Sequence, residues 1–463
     1  MKSAITPLIT SFAILVLVLF FGVSTGHAAT ITVGPTGQYP DPCSAFNAGA
    51  DGDTFLIDAN NGTPYYKQCS LFLNYVTVVG VNGRPIIDPG TANANQGLWM
   101  IYGHDDVIDN MEFRNAANVG GSDFAAGIIV TPKAKTPSGG NLTIEQCLFF
   151  NNKMGIQSSP SGFSPYLNYV WYSANPYITV QYDEFAYSTH EANTLAHNIY
   201  IGEGGNMTFN MYYSYTHDNT GGHEMRSRAA TSNIYYNWIA DFQGNSDYVL
   251  DFPQGGDTYV VGNVIYKADV TDSNQFNTAL MIFRNKGDST YGAYSEPNDA
   301  LHFVNNTIID GPNNTNGGAF VNMECFNQTV TACDTTPPSG PLGGGPLTTP
   351  AVIENNIFVG APSLSITNQA SAYLKNNIVE ANTPANLAAL FVDANDRDFH
   401  LAAGSPAIQA GIYPPTDNQG NADPLALAQY ENVDPVSNVA RPTPSGSTMD
   451  AGAYRYPRVD NPP

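Results

Sequence analysis

The chain is poor in charge. Of its 463 residues, 40 are acidic and 17 basic, so only 12% are charged and the formal net charge is −23. Ordinary globular domains carry about a quarter charged residues. Duplex nucleic acid is excluded as a general partner, because neutralising phosphates takes many Lys and Arg side chains. Cysteine is scarce as well: there are five, with no Cys-x-x-Cys pair, which argues against a zinc site built on paired thiolates. Beyond the N-terminal segment no apolar run is long enough to span a bilayer. What is abundant is 43 Gly, 32 Pro, 27 Tyr and frequent Asn, within 42% hydrophobic residues. That composition predicts a turn-rich β protein with a real core, and neither a disordered chain nor a helical bundle.

The chain opens MKSAITPLITSFAILVLVLFFGVSTGHAA. Lys2, the apolar stretch from Ile9 to Val23 and the small residues up to Ala28 form the pattern of a secretory signal peptide over 1–28. The expectation is a mature chain of 29–463, secreted or periplasmic, with no stable membrane insertion after cleavage. Disulfides persist in such compartments. A Cys43–Cys69 bond would close the first structured segment, and Cys325–Cys333 would close a local loop. Cys147, in the apolar run LTIEQCLFF, is then left as a small buried hydrophobe.

Short β-rich phrases recur along the chain. They include NYVTVVGV (74–81), NLTIEQCLFF (141–150), NMTFNMYYSY (206–215), LHFVNNTIID (301–310) and AVIENNIFVG (351–360). Each alternates apolar and polar residues, the mark of a half-buried strand. Asn pairs accompany them at 151–152, 305–306, 355–356 and 376–377. The spacing is 25 residues from Phe209 to Ile234, 26 from Ile234 to Val260 and 43 from Val260 to Phe303. A β period in the twenties, with no helix between strands, predicts stacked coils with loop insertions. Asn suits the turns because it tolerates left-handed backbone and can pair with Asn above and below. The predicted fold is all-β: one right-handed parallel β-helix domain over 29–463, with 435–463 as its closing segment. A propeller would need a motif per four-stranded blade, and none recurs.

The opening CSAFNAGADGDTFLIDANNGTPYYKQC, the phrase VVGVNGRPIIDPG, Gly97-Leu98-Trp99, and the late DFHLAAGSPAIQAG and DAGAYRY resemble exported bacterial β-helix proteins of the pectate-lyase-like superfamily. The middle phrases HNIYIG, YTHDNTGGHEMRSRA and YVLDFPQGG resemble a subgroup with His-Asn-Ile-Tyr followed by Gly-His-x-x-Lys-Ser-Arg-Ala; here Arg226 stands where Lys is usual. The same region is loosely similar to β-helix lyases for alginate and chondroitin, in which a Lys-Ser strand supplies the base and an Arg on the next coil assists. Here Asp251 and Gln254 lie on that next coil. The resemblance implies the fold and a carbohydrate-active protein of lyase, hydrolase or epimerase type.

The residues themselves converge on the same stretch. His190, His197, His217 and His223 fall within 34 residues, and Arg226, Arg228, Lys267, Arg284 and Lys286 bring cations to an otherwise acidic chain. With one coil per 26 residues, His197 is expected beside His223, Tyr200 beside Arg226, and Asp251 one coil beyond Arg226. Strict alternation along HEMRSRA puts Met225, Ser227 and Ala229 on one face and Glu224, Arg226 and Arg228 on the other. Two outward guanidinium forks suit a sugar carboxylate. β-Elimination on a uronate needs that carboxylate neutralised, a base for the adjacent proton and an acid for the leaving oxygen. The expectation assigns Arg226 and Arg228 to the carboxylate, His197, His217 or His223 to the base, and Tyr200 to the acid or a second base. Asp251, Lys267 and Arg284 are the further substrate contacts. Calcium is left open as a ligand of Asp218, Glu203, Glu224, Asp241, Asp247 and Asp251, which lack EF-hand-like spacing. The expected partner is an acidic polysaccharide met by a monomer. The competing readings are a hydrolase or epimerase on the same scaffold, and a non-catalytic glycan-binding β-helix.

Overall fold

Each of the recurring phrases from 141 onward folds as two short strands joined by a tight turn, while NYVTVVGV supplies the single strand Thr77–Val81. In LHFVNNTIID the strands are Ala300–Val304 and Thr307–Asp310, and Asn305 between them has φ 55°. The left-handed turn recurs at Asn110, Gln146, Tyr182, Tyr213, Tyr236, Asn355 and Asn376, and at Gly262. Non-glycine residues seldom adopt this region, Asn most readily, so the Asn at these turns has a backbone reason. A third strand completes each coil before the chain returns to the first position.

The computed structural model describes residues 28–88, 97–116, 125–132, 137–158, 171–188, 196–202, 206–243, 246–269, 279–283, 300–314, 319–323, 349–360, 366–367, 372–433 and 436–458. Three long sheets result. The first has twelve strands, from Thr30–Val33 to Ala372–Lys375. The second and third have ten each, running from Ile86–Ile87 to Ile378–Ala381 and from Cys69–Leu71 to Ile366–Thr367. Every neighbouring pair within them is parallel, coil on coil. The chain is a right-handed parallel β-helix. One spacing needs correction. Met211, not Phe209, pairs with Ile234, and Phe209 pairs with Ser232, so that coil is two residues shorter than a count from Phe209 gives.

The residue after each left-handed turn points inward and builds a ladder. Asn263 Oδ1 accepts from the backbone N–H and the side-chain amide of Asn237, Asn306 does the same for Asn263, and Asn356 for Asn306. The row continues toward the N-terminus with other polar groups: Ser214 N–H donates to Asn237, Asp183 N–H to Ser214 Oγ and Cys147 N–H to Asp183 Oδ1. Cys147 is buried there, its thiol pushed up by burial. The Asn pairs therefore divide two tasks, the first residue bending the backbone and the second joining coils. The pair Asn151–Asn152 serves the turn between the second and third sheets, where Asn152 bonds Ala116 N–H and Phe113 C=O.

Inside the coils Phe113, Phe149 and Phe185 stack with centroids 5.2 and 4.7 Å apart. The N-terminal end is plugged by the helix Pro42–Ala48, capped by Asp41, whose Phe46 packs edge-on against Phe55 and Trp99. The Cys43–Cys69 disulfide ties this helix to the third sheet. Cys325 and Cys333, and residues 1–27 of the expected signal peptide, lie outside the described residues. Among the described residues no helix is long and apolar enough to cross a membrane.

After Ala381 the chain turns back along the outside. Leu390, Phe391, Phe399, Leu401 and Tyr454 cover Trp238, Val264, Ile309 and Ile357 on the second sheet. Ala426, Ala428 and Met449 cover Tyr259 and Val304 on the first, and Tyr236 at the turn that follows it. Among the described residues, the apolar cluster outside the third sheet (Ala126, Ile129, Met154, with Met100 and Tyr200) includes no residue from this segment.

Candidate functional site

The third sheet carries the central residues in register. His197–Ile201 pairs with His223–Ser227, which pairs with Leu250–Phe252. His197 lies beside His223, and Tyr200, Arg226 and Asp251 form one cross-strand row. Ile199, Ile201, Met225, Leu250 and Phe252 point into the core, so the row faces outward. Continued across the coils, it reads Met100, Ile129, Gln157, Tyr200, Arg226, Asp251, Ile282. It passes from apolar through charged and returns to apolar at Ile282.

Alternation breaks at one point. Glu224 does not share the face of Arg226 and Arg228. Its carboxylate is fully buried, accepting from Asn198 Nδ2 (2.7 Å) and Asn219 N–H (2.8 Å), with Thr216 Oγ1 at 3.4 Å. Asn198 bonds Phe185 C=O and Thr216 Oγ1, which places this pair inward, toward the second sheet. The physical reason is space. Thr216 takes the place in register after Phe185 in the aromatic stack, and the smaller side chain leaves room for two polar groups. Burial, with the nearby Asp241 charge, pushes the Glu224 carboxyl well above its ordinary value. The kink sends His197 and His223 outward, three residues before Tyr200 and Arg226 yet on the same side. His197 and His223 stack at 4.7 Å, and Tyr248 extends the stack at 5.1 Å from His223.

The hydrogen bonds define what each group can do. His197 Nδ1 accepts the His223 backbone N–H at 3.1 Å, so its ring proton sits on Nε2 when neutral. Burial, followed by the charges of His223, Arg226 and Arg228, pushes its pKa well below the ordinary value. His197 is thus a neutral donor at neutral pH. His223 Nε2 and Arg226 Nε converge on Asp251 Oδ2 at 3.2 and 3.1 Å. Burial works against the Asp251 carboxylate, but Arg226, His223 and Arg228 outweigh it and hold its pKa below the usual range. Arg226 stays 20% exposed, its guanidinium carbon 5.8 Å from the Tyr200 ring centroid. Arg228 is buried but close enough for its charge to act on both His197 and Asp251.

Other expected contacts lie elsewhere. His217 is on the second sheet, stacked on Tyr215 at 4.1 Å and bonded to Asp218 and Glu184. Burial opposes its charge, but those two carboxylates prevail and raise its pKa. Lys267 is also on the second sheet, buried, with Nζ donating to the carbonyls of Ser246 and Asp247. Arg284, Lys286, His190 and Glu203 lie outside the described residues. Of the described acids considered for calcium, Asp218 pairs with His217, Glu224 is in the interior, Asp241 is on the second sheet bonded to Ser246 and Asp251 is on the third sheet, and among the described residues no three metal-binding side chains cluster. Two residues went unnoticed in the sequence. Tyr248 holds the His223 ring. Gln157, in the row beside Tyr200, is buried with neither amide atom bonded among the described residues. Its position one coil before Tyr200 was a readable signal.

No protein-family profile matches the chain, and no curated protein matches it. Among solved structures it is similar to pectate lyase Pel9A, at 13% identity and a TM-score of 0.46, over 92% of this chain and 96% of that one.

Proposed function

We propose that this protein is an exported polysaccharide lyase that cleaves a uronate-containing polymer by β-elimination on the outer face of its third sheet. The observation that carries the reading is the Tyr200–Arg226–Asp251 row flanked by His197 and Arg228. Asp251 lies 3.1 Å from the Nε edge of Arg226 as an ion pair, and the rest of that guanidinium can meet a carboxylate in the bidentate manner. Arg228 adds positive charge, which favours the enolate-like state reached when the proton leaves. Tyr200, one strand away, has a phenol able to take or give a proton. His197 presents an Nε2 donor. With its Nδ1 engaged and its ring neutral, it can hydrogen-bond a sugar oxygen but is neither the base nor the acid, so protonation of the leaving oxygen falls to Tyr200. A hydrolase needs two carboxylates across the scissile bond. Of the two acids on the described strands of the third sheet, Glu224 points inward and Asp251 outward.

A second reading, a glycan-binding β-helix without turnover, is favoured by the ion pairs that His223 and Arg226 make with Asp251, which balance that carboxylate's charge without substrate. The test is incubation of the folded protein with alginate, pectate, glucuronan and chondroitin, with and without calcium. Ultraviolet absorbance from unsaturated uronyl ends, lost in Arg226→Ala and Tyr200→Phe, supports elimination. Silence across the panel with binding retained supports the second reading. New reducing ends without unsaturation would show hydrolysis instead, and a changed uronate ratio in uncut polymer would show epimerisation.

A further inference from the structure

A cavity of about 520 Å³ lies between the outer face of the second sheet and the returning C-terminal segment. It is separate from the third-sheet row, and its volume is in the range of small-ligand sites. Tyr215 and Trp238 come to it from the sheet. Trp238 is fixed by its indole N–H donating to Tyr454 Oη at 2.9 Å, and Tyr215 is held between His217 and the edge of Trp238. The opposite side is polar. Asp398 accepts from His400 Nδ1 at 2.6 Å and from Arg458 Nη1 at 3.0 Å. Asp396 and Arg397 stand beside them.

Two features set this cavity apart from a packing gap. Arg397 is a non-glycine residue at φ 64°, a conformation that costs energy and is retained where the surroundings enforce it. It holds an exposed guanidinium 3.4 Å from the Phe242 ring centroid. Arg458 also stays exposed although it pairs with Asp398. The lining charges cancel, two arginines against two aspartates, so the cavity has no net pull on an anion. It offers acceptors and donors side by side, next to aromatic rings. Vicinal hydroxyls, each able to give and take a hydrogen bond, match that alternation, and the C–H face of a pyranose matches the rings.

We propose that this cleft binds a short uncharged oligosaccharide, as a second glycan site distinct from the acidic-chain site on the third sheet. It anchors the protein to a neutral chain or branch while the third sheet engages uronate. Because the two sites share no residue, each can fail without the other. The test is titration of the whole protein with cellotetraose, xylotetraose and mannotetraose, and with a tetragalacturonate control, by calorimetry and tryptophan fluorescence. The expected result is saturable binding of at least one neutral tetrasaccharide. Arg458→Ala and Asp396→Ala should each weaken it about tenfold, the worth of one hydrogen bond to a charged group. Arg226→Ala should leave it unchanged. Both cleft positions are exposed, so unchanged thermal midpoints will confirm that the variants fold. The proposal is overturned if no neutral sugar binds, if only tetragalacturonate binds, if the cleft variants bind normally, or if Arg226→Ala removes the binding.

Discussion

The Asn ladder makes a quantitative demand on stability. Asn306 Oδ1 accepts from Asn263 N–H (2.9 Å) and Nδ2 (3.0 Å), and its own Nδ2 donates to Val260 C=O (2.8 Å) and Asn356 Oδ1 (3.1 Å). Asn306→Ala removes all four bonds. Asn263 Nδ2 keeps Ile234 C=O, and Asn356 Oδ1 keeps the residue 306 N–H, but the buried Asn263 N–H loses its side-chain acceptor. One orphaned buried donor at about 1–3 kcal/mol, plus the lost pairings, predicts a cost of about 3–5 kcal/mol. Asn377 closes the same ladder with three bonds, to Asn356 N–H, Asn356 Nδ2 and Ile353 C=O, but is only part-buried. Water can replace them, so Asn377→Ala should cost about 1–2 kcal/mol. Asn306→Ser should fall between, since Ser214 already fills an equivalent rung with its hydroxyl. Urea unfolding followed by fluorescence and circular dichroism measures the series, read as midpoints because solenoids need not unfold in two states. An Asn306→Ala variant no less stable than Asn377→Ala would refute the ladder as a main source of cohesion between coils.

Four further outcomes follow from single sites. Gln157→Leu should raise the thermal midpoint, because it removes a buried amide without partners among Met100, Ile129 and Met154, worth about 1–2 kcal/mol; a lowered midpoint would show that the amide is satisfied in solution. Asp106, whose carboxyl burial pushes up to about 8, should make stability pH-dependent. Its folded value exceeds the ordinary one, so its contribution is complete below about pH 4 and lost as pH rises through about 8; Asp106→Asn, which can keep the Val76 N–H bond, should flatten that profile in melts run across the range. Replacing Cys43 and Cys69 by Ser opens a closure of sequence separation 26 and should cost about 3 kcal/mol, read as a lower urea midpoint in the double variant. Asp251→Asn should lower glycan affinity or turnover more than stability if it positions Arg226 for substrate; an unchanged affinity would assign the pair a purely structural role.

Much of the site was legible because a parallel coil converts sequence spacing directly into contact. The 26 residues from His197 to His223 and the 25 from Arg226 to Asp251 became cross-strand neighbours. The same logic failed one residue away. Strict alternation predicted Glu224 outward, but the space left by Thr216 after Phe185 turned it in and released the histidines outward. That space depends on what three different strands contribute to one layer, which no local period records. His217 and Lys267 were drawn in by nearness in sequence, yet a coil has three faces and they lie on another.

The sequence alone determined the repeating coil and the left-handed turns at Asn, because these arise from short-range backbone preference and from a spacing repeated down the chain, whereas the turns at Gln146, Tyr182, Tyr213 and Tyr236 carry no such signal. Only the tertiary structure decided which sheets the C-terminal segment covers. The contact between Trp238 and Tyr454 joins residues 216 apart, and the cavity beside it exists only where the returning chain leaves the sheet incompletely covered. Such contacts depend on the shape of two finished surfaces, which no period in the sequence encodes.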